Sequence, residues 1–226
     1  MAKFTLSPQD HERVAKAVAA AEAGTDAEIV TVLAPQSDSY HDVGLHVAIA
    51  GLFLLLAAVG AFPAQFQSWA QNLLGGWDHQ LSQRESMTAL FASAIIVFLT
   101  LRYLLAWMPL RMVMTPKRTK ERRVRRAAIN LFRAVVEGRT RHHTGVLLYL
   151  SLAEHRAEII ADASITAKVA PELWGDAMAK LVHHIRKEDA DEGMVQAIEA
   201  IGQILAQHVP RSDGDTNELP NRLIAL

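Results

Sequence analysis

The chain has no cysteine, which removes disulfides, thiolate nucleophiles and zinc–thiolate sites from consideration. Other signatures of defined chemistry are missing too. There is no phosphate loop of the GxxxxGKS or GxxxxGKT type, no GxSxG nucleophile elbow and no HExxH, and the 12 glycines never form a GxGxxG. Aromatics supply 6% of the residues, none interleaves with the main basic cluster, and the formal net charge is −1. That combination argues against nucleic-acid binding.

Charge is absent from two long stretches. Residues 43–62 (VGLHVAIAGLFLLLAAVGAF) carry none, nor do residues 87–101 (MTALFASAIIVFLTL), and the apolar run resumes after Arg102 as YLLAWMPL. A helix rises about 1.5 Å per residue, so about 20 residues cross a hydrocarbon core of about 30 Å. The first stretch meets that length outright and the second meets it by tolerating Arg102. Two transmembrane helices are expected, over 43–62 and 87–110. Buried core helices of a soluble protein are the alternative, but soluble helices keep a polar face and neither stretch has one. A cleaved signal peptide does not fit, because no basic segment directly precedes the first stretch. No run of acids lies in either stretch to suggest an ion path.

The basic residues orient the hairpin. Arg111, Lys117, Arg118, Lys120, Arg122, Arg123, Arg125 and Arg126 crowd the exit of the second stretch, whereas the intervening loop has only Arg84, beside Glu85 and Asp78. Basic residues near span ends stay cytoplasmic, so both termini are expected inside and residues 63–86 outside. Arg111, Lys117, Arg118, Lys120, Arg122 and Arg123 are also expected at anionic lipid headgroups, at about 1 kcal/mol per residue near the surface. A topology signal running into a solvated helix face would account for them equally. Arg102 is placed to snorkel toward the cytoplasmic interface, with His46 at similar depth and in reach of a polar contact. In the outer loop, Phe66, Trp69, Leu73, Leu74 and Trp77 recur at helical spacing. They predict a short helix lying on the outer leaflet, with Trp69 and Trp77 at the boundary; a partner-binding surface is the other reading.

The remaining sequence alternates helix and strand. Ser7-Pro8 opens a helix that should stop at Gly24. Residues 28–34 (EIVTVLA) predict a strand, 119–137 a helix that turns from basic to amphipathic, 145–152 (GVLLYLSL) a buried strand, and RAEIIAD its hairpin partner. Two helices follow, one opening at Pro171 and one over about Asp191–His208. Neither half could bury its apolar faces alone. The first strand should therefore join the sheet of 145–162, with the membrane hairpin inserted in the crossover. The expected class is α/β: a small three-layer helix–sheet–helix domain of three or more strands, interrupted by a two-helix transmembrane hairpin. Residues 1–36 and 118–210 would form its two parts, and 211–226 a flexible polar tail.

In that order, Thr25, Glu28-Ile29-Val30, Thr140, Thr144-Gly145-Val146-Leu147-Leu148-Tyr149, Ser151-Leu152-Ala153-Glu154, Asp162, Trp174, Gly193, Ala197-Ile198, Gly202 and Pro210 resemble the bacterial two-span branch of the TPM-domain proteins. The resemblance covers about 7–33 and 120–210 and rests mostly on structural positions. It implies an inner-membrane protein of a widespread, partly uncharacterised family linked to assembly or upkeep of membrane complexes. Some members resemble divalent-metal binders or are credited with phosphatase activity, which would bring in Ca2+ or Mg2+.

Few residues here offer chemistry. Asp189-Ala190-Asp191-Glu192-Gly193 approaches an EF-hand loop, but its glycine comes one position early, so a helix–helix turn with an acidic N-cap is expected. His142-His143 lies in a loop, and His183-His184 are helix neighbours that cannot face one ligand. Asp162, at the end of the last strand, is the metal candidate, since ligands gather beyond strand ends and hard cations take carboxylates. An Asx turn is its other reading. Glu28 starts its strand and should lie at the opposite edge. Three functions stay open: a non-catalytic interaction or assembly module partnered with the bilayer and with other membrane proteins or itself, a divalent-metal-dependent phosphatase, and a subunit of a transport complex.

Overall fold

Local capping sets the first element. In the computed structural model, which describes residues 7–74, 81–137, 140, 143–186, 190–212 and 218–226, α1 (Pro8–Glu22) begins after Ser7. The Ser7 hydroxyl accepts from the Asp10 N–H at 3.2 Å, and the Asp10 carboxylate accepts from the Ser7 N–H at 2.7 Å. This capping box satisfies two N–H groups that a helix start leaves without partners. β1 (Glu28–Ala34) follows, buried along its whole length.

The chain then divides into two units, an α/β unit of residues 1–38 and 117–226 and a helical unit of residues 39–116. In the α/β unit, β1 lies parallel to β2 (Gly145–Ser151), in register from Glu28 opposite Gly145 to Ala34 opposite Ser151. β2 turns into the antiparallel β3 (Arg156–Ala161), and with β4 (Ile224–Ala225) the sheet order is β3-β2-β1-β4. The period of two along each strand sends Ile29, Leu33, Val146, Leu148 and Leu150 to one face and Val30, Val32, Leu147 and Tyr149 to the other. The first face is covered by α1, α8 (Leu173–Arg186) and α9 (Ala190–His208), the second by α6 (Lys117–Val135). The three expected layers are present, with β1 inside a sheet otherwise built from the second part of the chain.

The C-terminal segment departs from the flexible tail the sequence predicts. β4 (Ile224–Ala225) pairs with β1 through Val32 and Leu33, and Leu219 and Leu223 are buried. The polar composition of 211–218 conceals the apolar spacing of Leu219, Leu223, Ile224 and Leu226, which supplies side chains to both faces of the sheet.

The helical unit contains α2 (His41–Ala61), α3 (Pro63–Leu74), α4 (Gln83–Leu104) and α5 (Met108–Met114). α2 and α4 run antiparallel at close range: a methyl on Gly51 would lie 2.2 Å from Leu101 Cδ1, and one on Gly44 3.5 Å from Leu105 Cβ. Small residues let helix backbones approach in this way. Instead of running through to 110, the second apolar helix stops at Leu104. Pro109 has no N–H for the Leu105 carbonyl, and the chain restarts as α5.

Candidate functional site

The sheet has two edges where chemistry could gather, and the acids of the chain occupy both. At one edge, Glu28, Gly145 and Asp162 lie in a row across β1, β2 and the end of β3. Glu28 is in register with Gly145, and Gly145 exchanges two bonds with Asp162: its N–H reaches Asp162 Oδ2 at 2.8 Å and its carbonyl accepts the Asp162 N–H at 2.9 Å. The sequence expectation that Glu28 and Asp162 lie at opposite edges is thus corrected. β3 runs antiparallel, so its end returns to the start of β1.

Both acids at this edge are buried and engaged. Glu28 takes the N–H groups of Glu218 and Leu219 at 3.0 and 3.3 Å, tying down the C-terminal segment. Asp162 precedes a short helix, α7 (Ala163–Thr166), but its side chain makes no cap to it. Its carboxylate reaches across to β2 instead of closing an Asx turn. A hydroxyl network surrounds the row. Thr25 Oγ1 donates to the Val209 carbonyl at 2.5 Å, Thr144 Oγ1 donates to the Asp26 carbonyl at 2.8 Å, and Thr140 Oγ1 accepts the Thr144 N–H at 3.2 Å. The Ser164 hydroxyl donates to the His143 carbonyl.

A hard cation takes about six to eight oxygen ligands. Among the described residues no three of His, Asp and Glu come together, and the carboxylates of this row already accept backbone N–H groups. These residues do not fit Ca2+ or Mg2+ at Asp162. Of the histidine pairs, His142 and the side chains of His183 and His184 lie outside the described residues, as does Asp189 of the predicted acidic turn.

The opposite edge, at the carboxyl ends of the parallel strands, is where α/β folds place ligands. There Glu154 is 6% exposed. It accepts the Ser37 N–H at 2.9 Å and the Ser151 hydroxyl, while the Ser37 and Tyr149 hydroxyls lie 3.1 Å apart. Burial raises the Tyr149 pKa; the Ser37 hydrogen bond opposes that and the Glu154 charge adds to it. Glu154 bridges the segment after β1 to the turn after β2. Sequence reasoning missed this role, because it depends on those strands pairing in parallel. Nearby in the fold, Glu158 on β3 is raised by burial, against the opposing pull of Arg125, with Glu121 raising it and Arg156 lowering it.

Residues 108–204 match the family model described as the TPM domain. That stretch of the chain is similar to the TPM domain. The matched stretch starts at α5 and ends within α9, so β1 and β4 complete its sheet from outside the match. A solved structure, the NMR structure of BA42 protein from the psychrophilic bacterium Bizionia argentinensis, aligns with a TM-score of 0.58 at 16% identity, covering 100% of this chain and 99% of that one. At that identity the likeness shows the fold alone. No curated protein matches the chain.

Lys117, Arg118 and Arg122 are exposed on α6, Lys120 is half-buried, and Arg123 pairs with Asp38 at 2.9 Å. Arg111 departs from the lipid contact expected of it. It is 4% exposed, and its Nε donates to the Leu105 carbonyl at 2.7 Å, with further bonds to the Ala106 and Ser39 carbonyls. It thus fills the vacancy that Pro109 leaves. Arg102 is half-buried. His46 Nδ1 lies 2.6 Å from the carbonyl of Asp42 in its own helix. Trp69 is half exposed on α3 and stacks at 5.8 Å with Phe66; Trp77 lies outside the described residues.

Proposed function

We propose that this is a membrane-anchored TPM-domain protein of a bacterial inner membrane, a non-catalytic interaction and assembly module with both termini cytoplasmic. The observation that carries the reading is the exposure of α2 and α4. Their apolar windows have mean hydropathy 2.3 and 1.8, yet only 11% and 6% of each window is buried. A core helix of a soluble protein would be covered by its neighbours. Here Phe53, Leu54, Phe91 and Ile96 are each more than 60% exposed, and a bare apolar surface of that extent calls for lipid. The half-exposed Trp69, with Leu73 and Leu74 beside it on α3, suits the membrane–water boundary on the far side. The non-catalytic part of the reading rests on Glu28, Asp162 and Glu154, each buried and bonded to its own fold.

Because the chain lacks cysteine, single-cysteine labelling tests this cleanly. Gln67→Cys in α3 should react with a membrane-impermeant maleimide in whole cells, and Lys168→Cys in the α/β unit only after permeabilisation. The protein should stay with the membrane pellet in alkaline carbonate. Release into the supernatant would sink the membrane reading, and reversed labelling would sink the orientation.

A further inference from the structure

We propose that the exposed stripe of α6 formed by Arg118, Arg122, Arg126 and Arg133 binds anionic lipid headgroups of the membrane that holds the helical unit, an inference that rests on the membrane reading. α6 buries Val124, Ala128 and Phe132 against the sheet. With 3.6 residues per turn, Arg118, Arg122, Arg126 and Arg133 fall within a sector of about 80° turned away from the centre of that buried face, and all four are exposed. Arg118, Arg122 and Arg126 have no acidic partner among the described residues, and Arg133 comes only to 4.0 Å from Glu137, with both exposed. Three neighbouring arginines are engaged elsewhere: Arg123 with Asp38, Arg125 facing Glu158, and Arg111 with carbonyls.

As an isolated helix, α6 is built against its own stability. Its first turn contains Lys117, Arg118 and Lys120 and no acid, although the positive end of the helix dipole disfavours cations there. Arg118, Arg122 and Arg126 repel one another at successive i,i+4 spacings. Elsewhere the chain follows the local rules, starting α1 and α4 with Ser–acid capping boxes. The stripe makes physical sense opposite an external anion. Chain connection nominates the anion. Lys117 follows Met114 by three residues, a reach of about 10 Å, and Trp107, Val113 and Met114 expose large apolar surfaces suited to a bilayer interface. The extended polyanion nearest the start of α6 is then the headgroup layer of the cytoplasmic leaflet.

The test uses the full chain bearing Asn130→Cys, an exposed position beside the stripe, labelled with a fluorophore. It is reconstituted in phosphatidylcholine vesicles containing a headgroup quencher, with or without one-third phosphatidylglycerol. Quenching should rise with phosphatidylglycerol and revert in high salt. Changing all four arginines to Gln should cut the phosphatidylglycerol-dependent increment about tenfold or more, whereas changing them to Lys should keep it, since a lipid surface reads charge and not the guanidinium fork. Equal quenching in neutral and anionic vesicles by carbonate-resistant protein would overturn the proposal and leave the membrane reading standing. Failure to insert into neutral vesicles would overturn both. A response in neutral vesicles to an added acidic polypeptide or oligonucleotide, and none to phosphatidylglycerol, would overturn it in favour of a soluble polyanion.

Discussion

At Gly145 the backbone of β2 passes so close to α6 that a methyl group would lie 2.1 Å from Val136 Cγ1 and 3.1 Å from Asp162 Oδ2. Its N–H is also the donor that holds the Asp162 carboxylate. Gly145→Ala should therefore cost about 1–3 kcal/mol through overpacking. Val136→Ala in the same chain should recover part of that loss by clearing the space, so the two changes should combine non-additively. Urea unfolding followed by far-UV circular dichroism would measure it, and strictly additive losses would rule this packing out. The sequence made Gly145 and Asp162 visible as residues but not as partners. A carboxylate at a strand end reads as a ligand or a turn former from local spacing alone, and the pairing of β2 with β3 turned it into a backbone acceptor.

At the scale of elements, runs of type and period survived better than their ends. β1 came out at the predicted bounds because EIVTVLA is β-branched and apolar throughout, and α1 because Ser7-Pro8 is an explicit start signal. The second apolar helix ended early because hydropathy sums over Pro109, whereas the hydrogen-bond ladder cannot. The carbonyls freed at that break give Arg111 its task. It donates to Leu105, Ala106 and Ser39, fastening the end of α4 to the start of α2. Arg111→Met would strand several carbonyls and should destabilise the helical unit by about 2–4 kcal/mol, at about 1–3 kcal/mol per buried unsatisfied group. Arg111→Lys should recover little, because an ammonium cannot span three acceptors as the guanidinium fork does. Thermal unfolding of the three proteins in one detergent would check this, and a lysine variant as stable as the parent would refute the fork argument.

On the scale of the whole molecule, the insertion of residues 39–116 into the crossover between β1 and β2 was legible because neither half of the soluble sequence could bury its own faces. The place of the C-terminal segment was not legible, because its apolar residues matter only once β1 offers them an edge. Within the α/β unit Asp38, the last residue before the insertion, reaches Arg123 of α6 at 2.9 Å, and Lys117, where the chain resumes, precedes Arg123 by six residues on the same helix, about 9 Å along its axis. A flexible Gly/Ser linker of about ten residues has a typical end-to-end distance of about 16–19 Å, ample for this gap, and its closure entropy changes slowly with length. Replacing residues 39–116 with such a linker should give a soluble protein that unfolds cooperatively. A chain beginning at residue 117 should aggregate or stay molten, because without β1 the β2 edge is open and β4 has nothing to pair with. Size-exclusion chromatography and urea unfolding of the two proteins decide the matter. If the chain beginning at residue 117 proves as stable as the linked one, β1 contributes nothing to the sheet and the two parts of the α/β unit do not depend on each other.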